Sequence, residues 1–117
     1  MVEIKTESRE FNKIEKYLMT QSPAIKSLKN IPDETSIRVS GYMVFDDVKD
    51  TGEVSEILSI ITPDNEVFSG QSATFKRSLM DIASLMGNDP FAVIKTSGKT
   101  KAGRDFINCY LDVASIQ

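Results

Sequence analysis

Between Lys95 and Arg104 the sequence sets four cations, Lys95, Lys99, Lys101 and Arg104, with no acid among them and with Gly98 and Gly103 interspersed. Two aromatic rings, Phe106 and Tyr110, follow directly. Cations on a flexible loop neutralise phosphates, glycines let backbone approach them closely, and outward rings give bases a face to stack on. The combination points to a surface for single-stranded nucleic acid. Arg38, Tyr42 and Phe68 are the further residues this chemistry would recruit. The competing reading is a solvated hairpin tip whose rings are covered by another part of the chain.

The elements that must position these groups can be read from periodicity. From Phe106 to Val113 the residues alternate, with Ile107, Cys109, Leu111 and Val113 on one face and Phe106, Asn108, Tyr110 and Asp112 on the other. The aliphatic face is the buried one, which turns the rings outward. With the strand that begins at Phe91, this segment forms a hairpin around the cationic loop. Upstream, Ser36 to Val48 reads as a strand in which Ile37, Val39, Met43 and Phe45 share one parity and Arg38, Ser40, Tyr42 and Val44 the other. Gly41 inside it invites a bulge or sharp bend. A polar turn follows, then a strongly apolar strand from Glu53 to Thr62, a turn at Pro63 to Asn65, and a short strand from Glu66 to Ser69. Phe75, Leu79, Ile82, Ala83 and Met86 form a single helical stripe, with Ser72 as N-cap and Gly87 as the stop. Asn88, Asp89 and Pro90 make the turn into the hairpin. At the N-terminus, Phe11, Ile14 and Leu18 predict an amphipathic helix from Ser8 to Met19, and Ser22 with Pro23 predicts the start of a second short helix ending at Asn30 to Pro32.

Composition narrows the functional classes. At 117 residues the chain has the size of one domain, able to bury roughly two-thirds of its unfolded surface. The absence of histidine removes the commonest general base and transition-metal ligand, so an enzyme or a zinc site is not expected, nor any cofactor. The single Cys109 reads as a small core residue. A net charge of −3 argues against a protein basic all over, which leaves a local basic site. No apolar run approaches membrane-spanning length and no leader pattern stands at the N-terminus, so a cytoplasmic location is expected.

Three strands, a helix and two more strands, preceded by an N-terminal helical segment, is the order of a five-stranded OB-fold barrel with its helix between strands 3 and 4. An α+β sheet with the helix across one face is the alternative. The expected division is a helical extension over residues 1–33 packed on a β-barrel domain over residues 34–117. In an OB-fold, ligands lie across strands 2 and 3 between the 1–2 and 4–5 loops. Here the 4–5 loop is cationic, whereas the 1–2 loop carries Asp46, Asp47 and Asp50 against Lys49. Gly98, Lys99 and Thr100 mimic the end of a P-loop, but Val93 stands where its first glycine belongs and strands surround it. Lys76 and Arg77 on the helix read as a solvated face.

Three stretches resemble the small OB-fold single-stranded DNA-binding proteins of bacteriophages, including those of the phi29-like replication type. They are the glycine-bearing strand from Val39 to Phe45, the segment Phe68-Ser-Gly-Gln-Ser-Ala-Thr-Phe75, and Ser97-Gly-Lys-Thr-Lys-Ala-Gly-Arg-Asp-Phe-Ile-Asn-Cys-Tyr-Leu111. The resemblance spans roughly Thr35 to Val113. It implies a non-enzymatic protein that coats displaced single strands in phage DNA replication without sequence specificity, in the host cytoplasm. Single-stranded DNA is then the expected partner, with a second copy or replication proteins beside it. The alternative from a different class is a protein-interaction module that uses the same exposed rings against a partner or itself.

Overall fold

The structure, a computed structural model, describes residues 1–87 and 89–116. Asn88, read above as part of a turn, and Gln117 lie outside the described residues. The elements run β1 (Val2–Glu7), α1 (Lys13–Thr20), β2 (Lys26–Ser27), β3 (Ser36–Val39), β4 (Gly41–Val48), β5 (Val54–Ile61), β6 (Val67–Gly70), α2 (Ala73–Met86), β7 (Phe91–Lys99) and β8 (Asp105–Leu111). Short 3-10 turns occupy Leu28–Asn30 and Val113–Ile116. The chain is mainly β, as its alternation predicts. The strands form two sheets, one in the order β1-β4-β5-β6-β2 and one in the order β3-β7-β8.

This differs from the expectation of five strands in a closed barrel. Among the described residues there are eight strands, and α2 falls between the sixth and seventh. Closure would require β6 to pair with β8, but β2 takes that edge of β6 instead, in parallel register at Lys26↔Phe68 and Ser27↔Ser69. Across the open seam, the Ser72 hydroxyl donates to the Ile107 carbonyl of β8 at 3.2 Å.

The strand expected from Ser36 to Val48 is interrupted at Ser40, and the interruption carries the chain from one sheet to the other. β3 pairs with β7, whereas β4 pairs with β5. Gly41 is needed at this corner because a Cβ there would stand 2.8 Å from two ring carbons of Phe11. The Arg9 guanidinium covers that ring at 4.4 Å from its centroid, donates from Nε to the Ser40 carbonyl at 3.1 Å and pairs with Glu15 at 2.9 Å. The N-terminal segment is thereby clasped to the corner.

Switching sheets also switches faces. One core joins Ile37 and Val39 of β3 to Val44, Leu58, Ile60, Phe75, Leu79, Val93 and Cys109, while Met43 and Phe45 of β4, sharing the parity of Ile37 in the sequence, enter a second core with Phe11, Met19, Ile61 and Val67. The larger sheet is therefore buried on both faces. α2 seals the first core through Phe75 and Leu79, with Ser72 accepting from the Phe75 amide at 3.1 Å as its N-cap. Cys109 lies in that core, and burial pushes its thiol up to about 12.

The N-terminal segment departs most from its sequence reading. Residues 2–7, assigned to no element, form an edge strand on β4 with a bulge between Ile4 and Thr6. α1 starts only at Lys13, because Asn12 and Glu15 form a reciprocal capping box. Phe11 thus precedes the helix and is off its periodic face, and Met19 is fully buried while Ile14 is 69% exposed. The second expected helix shrinks to the 3-10 turn, since the Ser22 hydroxyl accepts from the Ala24 amide at 3.1 Å in a local turn and Leu28 drops into the first core. Ser59, wholly buried, donates to the Met19 carbonyl at 2.7 Å and ties α1 to β5. No helix among the described residues is long and apolar enough to cross a membrane.

Lys76 is not a freely solvated cation, as the sequence suggested. It pairs with Glu56 of β5, which also accepts from Lys5 of β1 at 2.6 Å. These bonds, that from Lys5 first, hold the Glu56 carboxyl down to about 2 from an ordinary 4.5. Because the folded value lies below the unfolded one, this contribution is present above about pH 4.5 and is lost as pH falls toward 2. Glu56→Gln should lower stability at neutral pH, and its difference from the parent chain should shrink through that window in urea titrations at stepped pH.

The corner yields a second test. Gly41→Ala should cost about 1–3 kcal/mol through overpacking, and Phe11→Ala about 3–5 kcal/mol through the cavity it leaves. Combined, the methyl group introduced at residue 41 enters space the ring has vacated, so the double variant should be more stable than the sum of the two losses by about 1 kcal/mol or more. Strict additivity in denaturant unfolding would show that the ring does not rest on Gly41.

Candidate nucleic-acid interface

β7 and β8 pair in register from Val93↔Leu111 to Lys99↔Asp105, so alternate residues of the hairpin face opposite ways. Beyond Lys95 the hairpin projects past the end of β3, which pairs no further than Ser36↔Ile94. Between this projecting half and the opposing segments Ile25–Asn30 and Ser69–Ser72 lies a groove of about 1090 Å³. Its hairpin wall is made by Ser97, Gly98, Lys99, Asp105, Phe106 and Ile107.

Phe106 stands directly across from Gly98, and its ring lies over the glycine, where a Cβ would meet ring carbon Cζ at 2.8 Å. A side chain at residue 98 would lift the ring off the strand. The glycine thus seats the ring of a groove-lining residue, on the hairpin face shared with Asn108 and Tyr110, which is a different role from backbone approach to phosphate.

The other residues singled out in the sequence fall in separate places. Lys99 lines the groove and pairs with Asp105 at 3.3 Å, both well exposed. Lys101 and Arg104, at the hairpin tip, are exposed and make no ion pair among the described residues. Lys95 is 3% exposed, contrary to a role as a free phosphate ligand. Its ammonium donates to the Ile31 carbonyl at 2.8 Å and to Asp33 Oδ1 at 3.0 Å. Asp33 also accepts from Ser97 at 2.6 Å, and the Ser97 bond, then that from Lys95, holds its carboxyl below its ordinary value. The pair anchors the loop before β3 to the hairpin.

Tyr42, expected to face outward, and Phe68, a candidate whose face the short strand leaves open, sit on one cross-strand row, Tyr42↔Ile60↔Phe68, and pack half-buried against the first core. The physical reason is the corner at Gly41: with both faces of β4 buried, parity opposite an aliphatic set no longer means exposure. The Lys26 ammonium lies 5.6 Å from the Phe68 ring centroid. Arg38 is exposed on β3, on the same outer sheet face as Tyr110. Tyr110 is 44% exposed, but its hydroxyl donates to Glu34 at 2.6 Å. That bond is the main cause raising its pKa. Glu34 has a left-handed backbone, φ 68°, with its amide bound to the Lys95 carbonyl at 2.8 Å.

Thus Phe106 and Lys99 reach the groove, Lys95 closes it as a neutralised pair, and Arg38 with Tyr110 forms a separate patch. Sequence reasoning missed Lys29, Asn30 and Gln71, all exposed on the opposing rim. Their only sequence signal is a polar pair between Leu28 and Ile31, and a lone amide before a helix cap. No group of acids and cysteine able to hold a metal ion occurs among the described residues. No family model, curated protein or solved structure matches the chain.

The pair, buried at Lys95 and exposed at Asp33, can be tested by comparing two substitutions. Asp33→Ala leaves the Lys95 ammonium enclosed with one carbonyl partner, whereas Lys95→Met removes the charge and keeps the volume. Leaving a buried charge without its partner costs more than replacing that charge by an apolar group. The urea midpoint should therefore fall further for Asp33→Ala than for Lys95→Met. The reverse order would mean that the ammonium's own bonds, not its neutralisation, stabilise the loop.

Proposed function

We propose that this chain is a non-enzymatic single-stranded DNA-binding protein built on an open OB-type barrel. The observation that carries the reading is the groove beside the β7–β8 hairpin, with the Phe106 ring laid over Gly98 in its wall and uncommitted cations at its rims, Lys29 on one side and Lys101 and Arg104 on the hairpin tip. An aromatic face next to mobile cations is the recurrent pairing of single-strand binding, in which stacking contributes about 1–3 kcal/mol per base and cations track the backbone.

The barrel assignment is supported by β3 and β4 acting as one bent strand shared between the two sheets. Counted so, the bent strand, β5 and β6, then α2, then β7 and β8 follow the OB order. The N-terminal segment adds β1 and β2 and fills the outer face of the larger sheet, which moves the binding surface toward the hairpin. The likeness of Ser97 to Leu111 to phage single-strand binders supports coating of displaced strands during DNA replication as the setting.

Anisotropy titration of a labelled oligonucleotide over a salt series tests this. Substituting Lys99, Lys101 and Arg104 together by alanine should weaken binding and flatten the log–log salt slope by about 2, the loss of three single-strand phosphate contacts. The fold should be unaffected, since all three side chains are exposed. A parent chain that binds no oligonucleotide at low salt would overturn the proposal, and an unchanged slope in the variant would move the site away from the hairpin.

A further inference from the structure

The charge inventory of the groove separates what it can hold from what its rims can hold. Three lysines touch it, Lys29, Lys95 and Lys99. Lys95 is committed to Asp33 and Ile31, and Lys99 is offset by Asp105, which lines the same groove. Lys29 alone remains without an ion pair among the described residues. A strand threaded through with its phosphates inward would bring several charges into a space with one uncommitted cation, at a desolvation cost that the groove does not offset.

The remaining lining suits bases. Ile25, Ile57, Ile107 and the Phe106 ring present apolar and aromatic surface, against which either face of a base can lie. Asn30 and Gln71 stand exposed in the lining, and neither side-chain amide makes a hydrogen bond among the described residues. Each amide presents a donor and an acceptor side by side. That is the arrangement that forms paired hydrogen bonds with a base edge, and unstacked bases in single strands expose those edges.

We infer that the groove takes bases while the hairpin tip takes phosphates, so that Asn30 and Gln71 make binding selective for base identity. This rests on the reading of the chain as a single-strand binder and departs from the absence of sequence preference that its resemblance implies. Affinity is then divided between two places with different signatures: the tip sets the salt dependence, and the groove sets the ranking of bases.

The test measures anisotropy of labelled dA15, dC15 and dT15, with an abasic 15-mer as the fourth ligand, for the parent chain, for Asn30→Ala with Gln71→Ala, and for Lys101→Ala with Arg104→Ala. In the parent chain the best and worst of the three homopolymers should differ by about tenfold or more, the scale of one bidentate amide contact, and the abasic strand should bind weakest. The amide double variant should bring the homopolymers within about twofold of one another at unchanged salt slope. The cation double variant should lower the slope by about 1.4 and keep the ranking. Homopolymers bound equally by the parent would overturn the inference while leaving the proposed function standing. A ranking that survives loss of both amides would place base reading elsewhere and overturn it as well. Failure of the parent to bind any of these ligands would overturn both. Equal urea midpoints for all three proteins establish that the folded populations being compared are alike.

Discussion

The contact of the Phe11 ring with Gly41 is the constraint on which the rest of this structure depends. Only where a residue has no Cβ can the ring come this close to the backbone, and only with the ring in place does the N-terminal segment close the second core, since Phe11 packs there with Met19, Met43 and Phe45. The same point is where the chain leaves the β3-β7-β8 sheet and enters the larger one. A single small residue thus serves two geometrical demands, a bend between sheets and a seat for a distant ring. Arg9 joins them by covering the ring and bonding to the Ser40 carbonyl.

From this corner follows the location of the groove. Because the N-terminal segment is clasped to it, the segment must run across the outer face of the larger sheet and return along β6 as β2. The edge of β6 is then occupied, the two sheets stay unjoined on that side, and the projecting hairpin is left facing the 25–30 segment across open space. The groove is a by-product of where the N-terminus is fastened.

How much of this could be read beforehand depends on the range of the interactions involved. α2 was legible to the residue, because its stripe, its Ser72 cap and its Gly87 stop are all local signals. The hairpin was legible for the same reason, and Cys109 was correctly placed in the core by strict alternation. Lys95 was not, because its partner Asp33 lies 62 residues away and nothing near Lys95 in the sequence announces it. Tyr42 was misread because alternation reports which residues share a face and is silent on whether the opposite face is covered as well. The strand at Val2–Glu7 alternates faintly, but its exposed, charged positions match an edge strand whose only support is β4. The helical stripe through Phe11 failed because the cap at Asn12 excludes that ring from the helix.

The open side of β8 has a chemical consequence of its own. A strand edge with free amides and carbonyls is a template on which a neighbouring molecule can lay down a strand of its own. Here the Asn108 side chain folds back to accept from the Cys109 amide at 2.8 Å and from Ser78 of α2, while Ser72 caps the Ile107 carbonyl. The edge is blunted from within by its own side chains. At the far side of the larger sheet, the bulge in β1 and the charge of Lys5 do the same. A molecule packed alongside therefore meets side chains at these two edges, which disfavours the addition of a strand there.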